Sequence, residues 1–526
     1  MTGPGCPEGT GQAAGPSRRA LVAAGFGEVE RASQLLESAE LSSIPAEDLV
    51  RVLADAPNPD QALILLIRLV ERAPDVEKAL QDQDTARRLA RLLGASEALG
   101  EFLIRRTEHR DLLLDPAGAA ETAPVLGPQG WSADTDQLRR LLLESVGADP
   151  ESTPPVAGLR GKEAATALRV AYRRQLTAIA LQDLEAEDPA EIQPQVSLWL
   201  ADLAGAAIEA GLAVARADAV EHHGDDALGV RLAVIGMGKC GARELNYISD
   251  VDVIFAHDSV LEDERRAAQI ATDLASGISR AITAAAPEQG LWEVDANLRP
   301  EGKDGALSRT LDSHAEYYRR WAHSWEFQAL LKARPIAGDP EVGRAYLETI
   351  WPLVWTSSER EGFVESVQAM RRRVMENVSH KERDREIKLG SGGLRDVEFT
   401  AQLLQLVHGR ADESVRVRGT LEALHALQEA SYISRRDGEA FAGHYRYLRL
   451  LEHRIQMVHM RRTHLMPHKT EALRVLARAM RGPGATGPVN AEGLVETWNR
   501  TRRDVRALHE QIFYRPLLST LSLIHI

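Results

Sequence analysis

Cysteine is nearly absent: 526 residues carry two, Cys6 and Cys240. One lies in a Gly/Pro-rich opening stretch and the other in a glycine turn, which excludes a disulfide framework and a cysteine-built metal centre and suits a reducing cytoplasm. Aromatic residues reach only 5%. Ala, Leu, Arg and Glu are plentiful instead, and these side chains lose little rotamer freedom in a helix. No uninterrupted apolar stretch reads as long enough to cross a bilayer, and no basic segment leads into an apolar one with a small-residue cleavage site. The expectation is a soluble, cytoplasmic chain with no membrane partner. Positive charge is in deficit, 63 Lys and Arg against 77 Asp and Glu, a net charge of -14. Such a surface repels a phosphate backbone, and without a basic, aromatic-interleaved patch nucleic acid is a poor partner.

The length exceeds one compact core, so two or three domains are expected. Residues 1–17 are small, polar and Gly/Pro-rich and read as a disordered leader. Helical periodicity then fills 18–160, as in Gln61-Ala-Leu-Ile-Leu-Leu-Ile-Arg-Leu-Val, with breaks at Pro57, Pro59 and Pro74 and with loops over 116–130 and 148–158 around a short helix at Leu138 to Val146. Leu168, Tyr172, Leu176 and Ile179 recur at helical spacing, and a helix is expected from about Gln195 to Ala219. The character changes at Arg231-Leu-Ala-Val-Ile-Gly, Val251-Asp-Val-Ile-Phe and Leu291-Trp-Glu-Val-Asp, three short strands. After Ser313 the pattern is helical throughout, interrupted by Gly390-Ser-Gly-Gly and by the Gly/Pro-rich 481–493. The fold class is therefore mainly α with one embedded α/β unit.

Chemistry concentrates in Val234-Ile-Gly-Met-Gly-Lys-Cys-Gly followed by Ser249-Asp-Val-Asp. Strand alternation puts Asp250 and Asp252 on one face and Val251, Val253 and Phe255 on the other. Two carboxylates at that spacing suit Mg²⁺, a hard cation completed by waters and substrate phosphates. Asp295 ends the third strand and is a third ligand if that strand lies beside Val251; its alternative is an ion pair with Arg299. Gly236, Gly238 and Gly241 permit close backbone approach to phosphate oxygens, and Ser249 adds a hydroxyl. The glycine turn alone is a weak signal, being neither a Walker loop nor a Rossmann fingerprint. Asp-x-Asp on an apolar strand is stronger, because unpaired buried carboxylates each cost several kcal/mol. A triad of Ser or Cys with a base is not apparent. His222 and His223 read as solvated residues of a polar turn.

Glycine turn, Ser-Asp-x-Asp and a later strand Asp resemble the nucleotidyltransferase superfamily related to DNA polymerase β. The wording Gly236-Met-Gly-Lys-x-Gly-x-Arg-Glu-Leu-Asn-Tyr-x-Ser-Asp-Val-Asp is similar to the glutamine synthetase adenylyltransferase/adenylyl-removing family. Later segments agree in order: Val294-Asp-x-x-Leu-Arg-Pro, Trp325-Glu-x-x-Ala-Leu-x-Lys-Ala-Arg-Pro, Ile387-Lys-x-Gly-x-Gly-Gly-Leu-Arg-Asp-Val-Glu-Phe and Tyr445-Arg-Tyr-Leu-Arg-x-x-Glu-His-Arg-Ile-Gln.

The resemblance implies a nucleotidyltransferase (adenylyl-removing) domain of polymerase-β type over 161–345, a helical bundle over 346–518, and the N-terminal half of a two-unit protein, with 519–526 reading as a non-native tail. It implies Mg²⁺ at Asp250, Asp252 and Asp295, phosphate or nucleotide contacts at Gly236, Gly238, Lys239, Ser249, Lys332 and Arg334, and glutamine synthetase as protein substrate. The implied reaction is phosphorolysis of a tyrosyl-AMP bond by orthophosphate, giving ADP, under a P-II signal protein and glutamine. Adenylylation from ATP at the same carboxylates and a noncatalytic regulatory role are the alternatives. Lys388, Arg395, Asp396 and Glu398 read as interdomain ion pairs, and Glu452 and His453 as packing and hydrogen-bonding residues.

Overall fold

The computed structural model describes residues 16–126, 135–483 and 490–514. The leader up to residue 15 with its Cys6, parts of the loops expected over 116–130 and 481–493, and the tail at 519–526 lie outside the described residues. The chain is mostly helical around one small mixed sheet.

Short helices run from Arg18–Ala24 to Thr135–Ser145. Two long ones follow, α1 (Gly161–Glu185) and α2 (Pro189–His223). α2 starts earlier than periodicity alone suggests. Asp188 caps it, accepting from the N–H groups of Ala190 and Glu191 at 2.9 and 3.3 Å, and Pro189 occupies the first helical position, where its missing N–H costs nothing. By length and composition α2 could cross a membrane, although Asp202 and Glu209 interrupt its apolar run. Its apolar window is, however, 94% buried inside the protein. Small side chains such as Ala204, Ala207 and Ala210, all fully buried, make α2 the central core helix.

Five strands form the sheet: β1 (Val230–Gly236), β2 (Val251–Ser259), β3 (Val294–Asp295), β4 (Ser308–Thr310) and β5 (Arg334–Gly338). β1 lies between β2 and β5, antiparallel to both, while β3 and β4 pair in parallel along the far edge of β2. Between β1 and β2 the chain makes only a single helical turn, α3 (Gly238–Gly241), and α4 (Glu264–Thr283) follows β2.

Alternation divides the strand side chains between two cores. Leu232, Val234, Val251, Val253 and Phe255 join α2 and α4. Ala233, Ile235, Ile254 and Ala256 face the helices Leu311–Arg320, Ser324–Leu330 and Pro340–Trp355. Burying each Val, Ile or Phe contributes about 2 kcal/mol. A third core joins α5 (Leu394–His408) and α6 (Arg435–Met457) with Ala491–Phe513 through Val397, Leu404, Phe441, Tyr445 and Trp498. α6 is tied back to α1, because Arg454 grips Asp183 at 2.5 and 2.7 Å in a buried pair.

The second core also holds His314, whose Nε2 lies 3.3 Å from the Phe255 carbonyl oxygen and whose ring meets Tyr318 and Tyr346. Burial pushes its pKa down from 6.5 to about 4, so the imidazole is neutral in the fold and takes a proton readily only when unfolded. Its contribution is therefore fully present above pH 6.5 and is lost as the pH falls toward 4, by about 3 kcal/mol in all. Urea unfolding between pH 7 and 4 is expected to show a shallower loss of stability in His314→Gln than in the unsubstituted protein; equal slopes would refute this role.

Candidate functional site

β1 ends at Gly236, and the backbone must reverse within a few residues to feed β2. Gly238 does so in the left-handed region, at φ 51°. A Cβ there would lie 2.5 Å from Asp252 Oδ2, so the carboxylate rests directly against the turn. A Cβ on Gly241 would lie 2.0 Å from the Lys332 carbonyl oxygen and 2.4 Å from that of Gly236, leaving room for glycine alone. Met237 N–H donates to the Asp252 carbonyl at 2.8 Å, pinning turn to strand. Cys240 inside the turn is buried, and burial pushes its thiol up to about 12, which removes it as a nucleophile.

Asp252 on β2 sits in register with Asp295 on β3. Burial, then the nearby Asp295, raises the Asp252 carboxyl to about 6. Lys388 and Arg395 act in the opposite direction, and Asp250 adds to the rise. Asp295 accepts the Asn297 N–H at 2.8 Å, whereas Arg299 spends its guanidinium on the carbonyls of Ala296, Lys303 and Gly305; the alternative Asp295–Arg299 pair does not form. Asp250 and Ser249 precede β2, both half-buried, and Asp250 pairs with Arg462. Among the described residues no three His, Cys, Asp or Glu side chains are drawn together as a ready metal-ligand set. The donor chemistry nonetheless fits a hard divalent cation: an all-oxygen group in which the buried member is pushed toward protonation by burial, and then by Asp295, gains most from one.

The basic residues of the turn motif face elsewhere. Lys239 Nζ is buried at 2.9 Å from both oxygens of Glu452 and 3.2 Å from Asn246 Oδ1. Burial lowers its pKa; against the same cost, Lys239 and Arg449 keep Glu452 ionised. Lys332 Nζ donates to Glu244 at 2.8 Å and Thr420 Oγ1 at 3.2 Å. Arg334, on β5 rather than a helix face, donates to the carbonyls of Cys240 and Gly241, each at 3.1 Å. Lys239, Lys332 and Arg334 thus brace the turn from behind, while Gly238, Asp252 and Asp295 come together at its front.

α6 supplies most of the remaining support. Gln456 Oε1 accepts from Asn246 Nδ2 at 2.8 Å and from the Ile248 N–H at 3.1 Å, and Arg449 donates to the carbonyls of Glu244 and Leu245 at 2.5 and 3.1 Å. Glu452 and His453 are accordingly buried hydrogen-bonding residues. From the Gly390-Ser-Gly-Gly loop, Asp396 pairs with Arg371 at 2.6 Å and Arg395 with Glu398 at 2.9 Å. Lys388 experiences the charges of Glu452, Glu398 and Asp252 together. The pattern at 387–399 signalled a glycine loop between two cations, but not that the charges of Lys388 and Arg395 act on Asp252. Arg462 carried no signal at all. His223 pairs with Asp273, and His222 is exposed.

Comparison with known proteins gives two family matches: glutamate-ammonia ligase adenylyltransferase over residues 69–349 and PII-uridylyltransferase over 368–513. The chain is 49% identical over 514 residues to a bifunctional glutamine synthetase adenylyltransferase/adenylyl-removing enzyme of Leifsonia xyli, covering 95% of this chain and 49% of that protein. Proteins of the same description from Streptomyces coelicolor and Corynebacterium glutamicum are 45% and 41% identical, over 96% and 93% of this chain and 49% and 48% of theirs. The chain spans about half the length of the curated relatives it matches.

The close approach at Gly238 sets a test. Gly238→Ala combines a left-handed backbone with displacement of the Asp252 carboxylate, whereas Gly362→Ala, at φ 68° with nothing within 4 Å, carries the backbone strain alone. Thermal melts are expected to show a loss of about 1 kcal/mol for Gly362→Ala and a larger one for Gly238→Ala. Only the latter should weaken Mn²⁺ binding in a calorimetric titration.

Proposed function

Because the chain belongs to the glutamate-ammonia ligase adenylyltransferase family, we propose that it is a nucleotidyltransferase that removes AMP from a tyrosine of adenylylated glutamine synthetase by phosphorolysis. The observation that carries this reading is the register of Asp252 with Asp295 beside the glycine turn, with Lys388 and Arg395 acting on Asp252 from the helical region. The match of 368–513 to a family named for uridylyl transfer supports nucleotidyl transfer as the reaction class. In this reading the sheet and its glycine turn form a polymerase-β-like unit over 161–345, and a helical bundle follows over 346–518.

Asp250, Asp252 and Asp295 would hold Mg²⁺, which when bound supplies charge stabilisation to the oxygens around the reacting phosphorus. The backbone at Gly236 and Gly238 and the hydroxyl of Ser249 would seat the oxygens of the AMP phosphate. Lys388 and Arg395 offset the charge of the incoming orthophosphate, which a site built of carboxylates would otherwise repel. An orthophosphate oxygen forms a bond to phosphorus as the bond to the tyrosine oxygen breaks; ADP leaves, and the phenolate takes a proton. A phenol ionises near pH 10, so it leaves without a covalent enzyme intermediate. Arg462, which pairs with Asp250, would have to release it for Asp250 to take the cation. Similarity of Gly236-Met-Gly-Lys and Glu244-Leu-Asn-Tyr to the adenylyl-removing unit supports this direction over adenylylation from ATP. A P-II protein and glutamine are the proposed effectors, and the cytoplasm the compartment.

Purified chain, adenylylated glutamine synthetase, Mg²⁺ and orthophosphate should yield ADP, read by chromatography, and Asp250→Ala/Asp252→Ala should abolish it. Pyrophosphate released from ATP in place of ADP would reverse the direction. Lys388→Gln is expected to lower kcat/KM for orthophosphate by roughly tenfold or more while leaving Mn²⁺ binding intact; an unchanged phosphate dependence would remove Lys388 from the site.

A further inference from the structure

Behind the glycine turn, on the side away from the aspartates, lies a cleft of about 490 Å³. The beginning of α2 (Gln193 to Leu198), the turn residues Gly241 to Glu244, the start of β5, the stretch 416–422 and α6 meet around it. Asp250, Asp252 and Asp295 are not among its lining residues. Its volume is that of a small-molecule site.

The cleft has an excess of guanidinium. Arg243 is held at φ 57°, a costly conformation for a side-chain-bearing residue, and its fork takes both oxygens of Asp202 at 2.9 Å. Arg334 donates to the carbonyls of Cys240 and Gly241 and, among the described residues, forms no ion pair, although Asp202 attracts it from a distance. Arg418 donates to the Ala333 carbonyl at 2.8 Å and lies over the Trp351 ring, again without a carboxylate in ion-pair contact. Burial and the positive charge of Arg334 both lower the pKa of Arg418, and the exposed Glu422 compensates in part. Glu244, the other acid of the lining, is spent on Lys332 and Thr420. Half-buried guanidiniums that repel one another, in a protein of net charge -14, are the arrangement a fork-shaped donor needs to take an oxyanion. Gln195, Leu198 and Leu421 line the remainder, which suits an organic body attached to that charged group.

We propose that this cleft binds a small metabolite through a doubly charged oxyanion, a phosphate or paired carboxylates, seated on Arg334 and Arg418. The site is separate from the carboxylate centre and needs no divalent cation. Its existence does not depend on the direction or identity of the reaction proposed above.

Isothermal titration calorimetry in EDTA tests it, with pyrophosphate and succinate as probes to separate phosphate from dicarboxylate recognition. Millimolar or tighter binding of either probe is expected, equal in the unsubstituted protein and in Asp252→Asn. Arg418→Gln should weaken it by roughly tenfold or more, and Glu422→Gln should tighten it, a gain that misfolding cannot imitate. Binding of neither probe, or binding that disappears in Asp252→Asn and ignores Arg418 and Glu422, would overturn the proposal.

Discussion

Glu452 has no solvent exposure, and its carboxylate is met by Lys239 on both oxygens, by Arg449 and by His464. A carboxylate and an ammonium taken out of water are tolerated only together, because removing either partner leaves an uncompensated buried charge worth about 3–5 kcal/mol. Lys239 belongs to the glycine turn, and Glu452 to a helix more than two hundred residues further along the chain. The pair therefore does more than stabilise. It fixes the turn against α6, and with it the stretch from Asn246 to Ile248 that Gln456 holds through two hydrogen bonds. Asp250 begins two residues beyond.

With the turn anchored in this way, charge separates across it. Asp252 and Asp295 lie in front, where burial and then Asp295 raise the Asp252 carboxyl to about 6; guanidiniums gather behind, where Asp202 pairs with Arg243 and Arg334 donates to backbone carbonyls. Cys240 lies between the two and feels Arg334, Asp252 and Asp202 alike. Neither surplus is what stability alone would select, since like charges brought together in low dielectric raise the energy of the fold. Both suit the proposed ligands, a cation at the front and an anion at the back.

Strands β1 and β2 were legible because apolar residues and the Asp-x-Asp alternate with period two. β5 was not: Arg334-Pro-Ile-Ala-Gly contains a proline, which cannot donate to a ladder, and sits in a stretch otherwise periodic as helix. It pairs at the sheet edge with a bulge beside Ile235, the place where a strand proline is tolerated. β4 spans three residues, too few for any periodicity. α2 was recognised in its middle and missed at its start, where Pro189 and Pro194 both lie in the first two turns.

By itself the sequence determined the helical class, the order of the segments, the glycine turn and the candidate carboxylates, because turn geometry, strand alternation and residue chemistry are local and written in adjacent letters. Only the tertiary structure decided that Lys239 and Lys332 turn away into Glu452 and Glu244, that Lys388 and Arg395 act on Asp252, that Asp250 meets Arg462, and that Arg334 and Arg418, bonded to backbone carbonyls, line a cleft behind the turn. Those outcomes depend on which charges share a buried volume. Coulomb attraction and desolvation act through space, between residues that chain order does not bring together.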